Sequence, residues 1–292
     1  MWRYEHRPGH GVRLFWGEHL YFEQHLAGDG EAPCAHPVSV VGGPDLTCYA
    51  PHDHPWHLGF WFGWKHINDI NYWEHTPAGL PEGLTRFVAP ERLEAGSDSV
   101  SLTATYALVD PRRGDVAQDV RTITWYPPAE DGSHRLDYAL ELVAGPEPVV
   151  LDRTPITPET PWGGYGGLSW RFSRGLGDFR GLDAEGRRDR DIEHQRAAWA
   201  TLYGRLDGGL DIRAGVAIFD HPANPRHPTP WRFIAEPGFG YLNPALLLAE
   251  PLTVPGGARM RLRYRVLVYA GKVDPGRLAG EWAEFAATTA AR

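Results

Sequence analysis

Disulfides, long apolar runs and a surplus of positive charge are all missing from this sequence, and each absence excludes a class of protein. Cys34 and Cys48 are the only cysteines in 292 residues, too few for the disulfide framework of a stapled secreted domain. They read as thiols in a reducing cytoplasm. No segment approaches the roughly 18 consecutive apolar residues that cross a bilayer as a helix. The start, Met1-Trp2-Arg3-Tyr4-Glu5-His6-Arg7, lacks the apolar stretch of a signal peptide. A soluble, cytoplasmic protein with no membrane partner is expected. Lys and Arg number 29 against 37 Asp and Glu, a formal charge of −8, so the basic stripe that draws a protein to nucleic acid is absent. Internal repeats and long linkers are absent too. Residues 1–292 are therefore expected to form a single domain, long enough to bury a core without staples.

What is abundant is glycine (34), proline (26) and tryptophan (12). Glycine and proline without a repeat imply many tight turns, as in an all-β fold. Tryptophans left exposed would offer flat faces to the C–H groups of a sugar or to a cation. Period-two alternation is clear at Val100-Leu102-Ala104-Tyr106-Leu108, at Leu136-Tyr138-Leu140-Leu142, and at Met260-Leu262-Tyr264-Val266-Val268. The last of these carries Arg259, Arg261, Arg263 and Arg265 on its other face, read as a solvated row paired with carboxylates across the sheet. Shorter strands are predicted at 12–16, 20–26, 38–41, 59–65, 119–126, 168–173, 214–219 and 245–249. Residues 183–199, dense in Arg, Asp and Glu, read as an exposed loop or short helix. A convincing helix is predicted only over about 275–288, where Asp274-Pro275 gives a cap and first turn and Leu278, Trp282 and Phe285 form an apolar stripe. The expected fold is all-β, a large antiparallel β-sandwich with a C-terminal helix.

Four clusters could carry chemistry. His52-Asp53-His54-Pro55-Trp56-His57 packs three imidazoles and a carboxylate into six residues, in a proline-flanked segment that is extended or turned. Its imidazoles can ligate a metal or exchange protons near neutral pH. Asn71 and Trp73, with Glu74 beside them, mix an amide, an aromatic and a carboxylate suited to sugar hydroxyls. The glycine-rich run Gly163 to Gly167 matches no phosphate loop or dinucleotide fingerprint, and supplies Tyr165 and, further on, Arg171. Finally, an apolar strand runs into Asp220-His221-Pro222-Ala223-Asn224-Pro225-Arg226, polar residues at a strand end held by a proline-stiffened loop. The candidate catalytic residues are His54, His57 and His221. The candidate substrate contacts are Asp53, Trp64, Asn71, Trp73, Tyr165, Arg171, Asp220, Asn224 and Arg226.

Asp53-His54-Pro55-x-His57 before an aromatic strand, Gly164-Tyr165-Gly166-Gly167-Leu168, and Asp220-His221-Pro222-x-Asn224-Pro225-Arg226 occur in that order, followed by Trp231 and by a strand ending Arg263-Tyr264-Arg265-Val266. This pattern, over roughly residues 35 to 271, resembles the bacterial family labelled methane oxygenase PmoA-like, itself of unknown function. A membrane methane monooxygenase subunit needs transmembrane helices, and this sequence has none to offer. The resemblance instead implies a sugar-catabolism protein with a sandwich similar to the galactose-mutarotase type. Leu58 stands where the family often has Arg, which weakens any anion contact assigned to that position.

The function expected from these residues is acid/base chemistry on a sugar or glycoside, as a lyase, epimerase or hydrolase, with no cofactor. One alternative is a sugar enzyme holding a divalent metal through His54, His57 and His221. Another is a sugar-binding protein without catalysis. No carboxylate pair at glycosidase spacing can be assigned.

Overall fold

Alternation in the sequence becomes alternation of burial in the computed structural model, which describes residues 1–26, 32–206 and 212–289. Every second side chain of His134–Ala144 is buried from end to end. In chain order the strands are β1 (Trp2–Arg7), β2 (Gly11–Trp16), β3 (His19–His25), β4 (Cys34–Val38), β5 (Phe60–Gly63), β6 (His66–Ile67), β7 (Ile70–Asn71), β8 (Leu84–Ala95), β9 (Val100–Asp110), β10 (Gly114–Trp125), β11 (His134–Ala144), β12 (Val149–Asp152), β13 (Gly167–Arg171), β14 (Leu176–Asp183), β15 (Trp199–Leu206), β16 (Arg213–Asp220), β17 (Trp231–Glu236), β18 (Phe239–Pro244), β19 (Leu252–Val254) and β20 (Arg259–Ala270). A 3-10 turn covers Asp189–Ile192, and the helix α1 runs from Pro275 to Ala286.

The strands form two eight-stranded antiparallel sheets. The first has the order β1-β2-β3-β4-β5-β13-β18-β17 and the second β14-β15-β16-β20-β11-β10-β9-β8. A small sheet, β19-β12-β6-β7, completes the fold. Phe22, Phe60, Phe62, Trp170 and Leu242 of the first sheet meet Leu102, Tyr106, Leu140, Leu262 and Val266 of the second in one buried core. Each such side chain contributes about 1.5–3 kcal/mol when fully buried. Charge enters this core as a paired unit. Arg121 donates to Asp119 (2.8 Å) and to the Phe62 carbonyl (3.1 Å), with its guanidinium over the Tyr106 ring.

Asp274 caps α1 as expected, accepting from the amides of Gly276 (2.9 Å) and Arg277 (3.2 Å). Leu278, Trp282 and Phe285 pack against Trp199, Phe219, Leu267 and Tyr269 on the outer face of the second sheet. The helix also divides the arginine row. Arg259 and Arg261 stay exposed and pair with Glu141, whereas Arg265 is buried beneath α1 between Asp137 and Glu284. One expectation needs correction, and one strand went unpredicted. Residues 245–249 form a turn, not a strand: the Ala245 amide bonds the Pro230 carbonyl, and Leu246 and Leu247 are buried as plugs. Strand β8 was not legible, because it is a mostly exposed edge strand whose register shifts between Val88 and Arg92, where Pro90 interrupts it. Neither Cys34 nor Cys48 is in a disulfide. No helix among the described residues is long and apolar enough to cross a membrane.

Candidate functional site

Strand periodicity decides where the site lies. Phe60 and Phe62 point into the sandwich, so Trp61 between them points out. By the same rule β13 turns Ser169 and Arg171 outward, β18 turns Phe239 and Tyr241, and β17 turns Arg232 and Ile234. Tyr241 accordingly packs with Trp61 in a cluster separate from the main core, and Tyr241 shares a hydrogen bond with Ser169 (2.9 Å). This outer face of the first sheet floors a cleft of about 470 Å³. Arg232, Ile234, Phe239 and Tyr241 form the floor; His54, Trp56, His57, Lys65, Glu74, Trp162 and Tyr165 form the walls.

The histidine wall is built by two successive turns. The His54 amide bonds the Pro51 carbonyl (2.9 Å), the His57 amide bonds the His54 carbonyl (2.9 Å), and the Ala50 amide closes the loop on the His57 carbonyl (2.7 Å). The second turn swings His57 back over His54, their rings stacked with centroids 4.7 Å apart. His57 is buried between His54 and Tyr241, and its Nδ1 has no hydrogen-bond partner. Burial holds its pKa well below the ordinary histidine value, and the charges of His54 and Arg171 push the same way. His57 is therefore a neutral imidazole near pH 7. His52 is exposed at the edge of the loop. Asp53 anchors the loop from behind: it pairs with Arg174, with Arg171 (3.6 Å) and with His54 Nδ1 (3.0 Å). Burial alone would raise the Asp53 pKa, but these partners and its own amide bring it down to about 2. Arg171 lies fully buried under Phe239, its guanidinium 3.3 Å from the ring centroid.

The opposite wall centres on Glu74. One of its oxygens accepts from Lys65 and the other from the Tyr165 hydroxyl. Asn71 shapes the turn that presents it: its Oδ1 accepts from the Trp73 amide (2.9 Å) and the Glu74 amide (3.2 Å), and its Nδ2 donates to the Glu74 carbonyl (3.1 Å). Burial lowers the Lys65 pKa, while Glu74 opposes that shift. Burial and the Glu74 charge raise the Tyr165 pKa, so the phenol stays protonated. Trp73 packs between Trp61 and Tyr165, and its ring fits because position 63 is glycine: a Cβ there would sit 3.1 Å from the ring. The glycine-rich run brings Tyr165 in. Gly164 has φ +88°, and a Cβ there would lie 2.5 Å from Leu248.

Arg232 completes the floor. Its Nη1 donates to His194 Nε2 (2.6 Å) and pairs with Glu193, whose other oxygen accepts from the Phe233 amide. Burial raises the Glu193 pKa against the opposing pull of Arg232.

Of the twelve sequence candidates only His54, His57 and Tyr165 line this cleft; Asp53, Asn71, Trp73 and Arg171 stand behind its walls, and the other five lie away from it. Trp64 points into the core and donates to Asp119 (3.3 Å), because it falls on the inward side of the chain leaving β5. His221 sits at the end of β16, on the second sheet, against Phe285 of α1 (ring centroids 5.1 Å apart) and bonded to Arg263 (2.8 Å). Both sheets separate it from His54 and His57. Asp220, Asn224 and Arg226 hold the loop after β16 together. Asp220 accepts from Asn224 (2.7 Å), the Thr229 amide (3.0 Å) and the His227 ring (2.7 Å), while Arg226 donates to the carbonyls of Leu246, Glu250 and Pro251. The three-histidine metal set is consequently not assembled. Among the described residues, no group of three or more His, Cys, Asp or Glu side chains gathers as metal ligands.

Sequence reasoning missed Lys65, Trp162, Arg232, Ile234, Phe239 and Tyr241. One signal was available for Lys65, which is the only lysine besides Lys272 in an arginine-rich chain. Arg232 and Tyr241 had none, since β17 and β18 are only six residues each and bury both faces over part of their length, so they show no clear alternation.

Fold and site together define an all-β sandwich with an aromatic, charge-lined cleft on the outside of one sheet. The chain belongs to the family described as a family of unknown function, DUF6807, which it matches over residues 2–283. No curated protein matches it. Among solved structures it is similar to the Slr1438 protein from Synechocystis sp. PCC 6803, at 10% identity and a TM-score of 0.37, over 90% of each chain. It is also similar to a TPR-domain containing protein from Parabacteroides distasonis ATCC 8503, at 8% identity and a TM-score of 0.28, over 91% of this chain and 48% of that one.

Proposed function

We propose that the cleft binds a sugar or glycoside and that His57 exchanges a proton with it. The observation that carries this reading is a buried, neutral imidazole with an unpartnered Nδ1 in the wall of an aromatic cleft. Trp56, Trp162, Phe239 and Tyr241 supply apolar faces for a sugar ring. Trp162 is half exposed at the rim, placed to cover a ligand. A sugar lyase, epimerase or hydrolase needs a base for a C–H or O–H proton and an acid for the departing or carbonyl oxygen. His57 serves as the base. Lys65, whose ammonium is made more acidic by burial, serves as the acid, and Glu74 and Tyr165 hold it in place.

This scheme needs no metal ion. It is in line with the sugar-catabolism role that the motif resemblance to the PmoA-like family implies.

The test is turnover and binding across a panel of glycosides and oxidised sugars. Turnover by the native protein that is lost in His57→Phe supports the reading. Binding without turnover of any panel member would mean a sugar-binding protein. Failure to bind any member would remove the carbohydrate reading.

A further inference from the structure

The polar demand left unmet in this cleft is for an acceptor. Glu74 has spent one oxygen on Lys65 and the other on Tyr165. Glu193 has likewise spent one on Arg232 and the other on the Phe233 amide. On the cationic side the accounts do not close. Both partners of Arg232, Glu193 and His194, meet the same nitrogen, Nη1, and the buried Nε has none. Arg232 is 5% exposed and lines the cleft. A buried guanidinium N–H with no acceptor is costly to maintain without a ligand. A carboxylate, planar and with two oxygens, matches the edge of a guanidinium.

We propose that the ligand of this cleft is a sugar acid, its carboxylate seated on Arg232 and its ring against the aromatic walls, which leaves the unpartnered His57 Nδ1 for the proton exchange. The inference rests on the sugar reading above and adds the substrate class. A monoanion suits the site better than a phosphate dianion, because Glu74 and Glu193 stand in or directly behind the same walls.

The experiment is calorimetric titration of the native protein with hexuronates and aldonates, D-glucuronate, D-galacturonate and D-gluconate, against D-glucose, D-galactose and glucose phosphate. The acids are expected to bind at least about tenfold more tightly than the neutral sugars. Arg232→Gln should reduce the acid to the affinity of its neutral parent, and Arg232→Lys, which keeps the charge, should retain part of the preference. Neutral sugars or glucose phosphate binding as tightly as the acids would overturn this inference and leave the sugar reading standing. If nothing in the panel bound, both would fall. The comparison of ligands is made on the native protein, so it survives even if the Arg232 variants fail to fold.

Discussion

The imidazole of His57 lies stacked on the Tyr241 ring, centroids 5.5 Å apart and planes 19° from parallel. The residue is thus packed like a core aromatic while keeping an unpartnered nitrogen. A residue kept for packing alone would be better replaced by phenylalanine, since an unmet buried polar atom costs about 1–3 kcal/mol. His57→Phe is therefore expected to be as stable as the native protein or up to about 1 kcal/mol more stable in urea denaturation, with turnover lost. In the native protein, the acidic limb of the rate profile should fall below pH 6.5, the ordinary histidine value, because burial, His54 and Arg171 all lower the His57 pKa and only Asp53 opposes them. A destabilised His57→Phe protein with undiminished turnover would mean that the ring only packs.

Lys65 and Glu74 can be separated from their neighbours by a double-mutant cycle. The Lys65 side chain is 5% exposed and Glu74 21%, so the pair is largely desolvated. Lys65→Met leaves a carboxylate facing only Tyr165 and is expected to cost about 2–3 kcal/mol, discounted from the fully buried case for the exposure of Glu74. Adding Glu74→Gln should recover most of that loss. Additive losses in the two single variants and the double would show that the pair is not coupled.

Asp220 tests the opposite proposition, that a polar cluster can be purely structural. Its carboxylate holds Asn224, His227 and the Thr229 amide at 1% exposure. Asp220→Ala removes the acceptor of the His227 ring and the Thr229 amide and one of the two Nδ2 contacts of Asn224, which keeps its bonds to the Arg263 backbone, and is expected to cost about 3 kcal/mol. Ligand affinity in the cleft should be unchanged, because Asp220 belongs to the other sheet. An affinity loss at a temperature where the variant is fully folded would reconnect this loop to the site.

How much of this was legible depends on which physical signal each part leaves in sequence. The long strands announced themselves because β9, β11 and β20 bury every second residue, and the helix because Asp274-Pro275 and the Leu278-Trp282-Phe285 stripe are local signals. His54 and His57 could be grouped from sequence because a turn-forming segment brings chemistry together within a few residues. His221 was misplaced for the complementary reason. Nothing local tells whether the end of a strand reaches the outside of one sheet or of the other. Arg232 and Tyr241 reach the cleft only through the β13-β18-β17 pairing, a long-range choice of neighbours that no spacing encodes.

His134 offers a test of the core that is independent of any ligand. It is 3% exposed, donates from Nε2 to the Ser39 carbonyl (2.9 Å), and packs edge-on to Tyr21. Burial lowers its pKa from 6.5 to about 4, with the Ser39 bond opposing. The sign follows directly. The unfolded chain takes up the proton first, so stability is complete above pH 6.5 and declines as the pH falls from there towards 4. At pH 5 the loss from this one group is on the order of 2 kcal/mol. His134→Gln keeps a donor for Ser39 and cannot titrate. Urea denaturation of both proteins at pH 7 and pH 5 isolates the effect, because the other buried histidines cancel in the difference. The native protein should lose about 2 kcal/mol more than the variant between the two pH values. Equal losses would mean that His134 is solvated in the folded protein, and that the sandwich is open where Tyr21 and Ser39 close it.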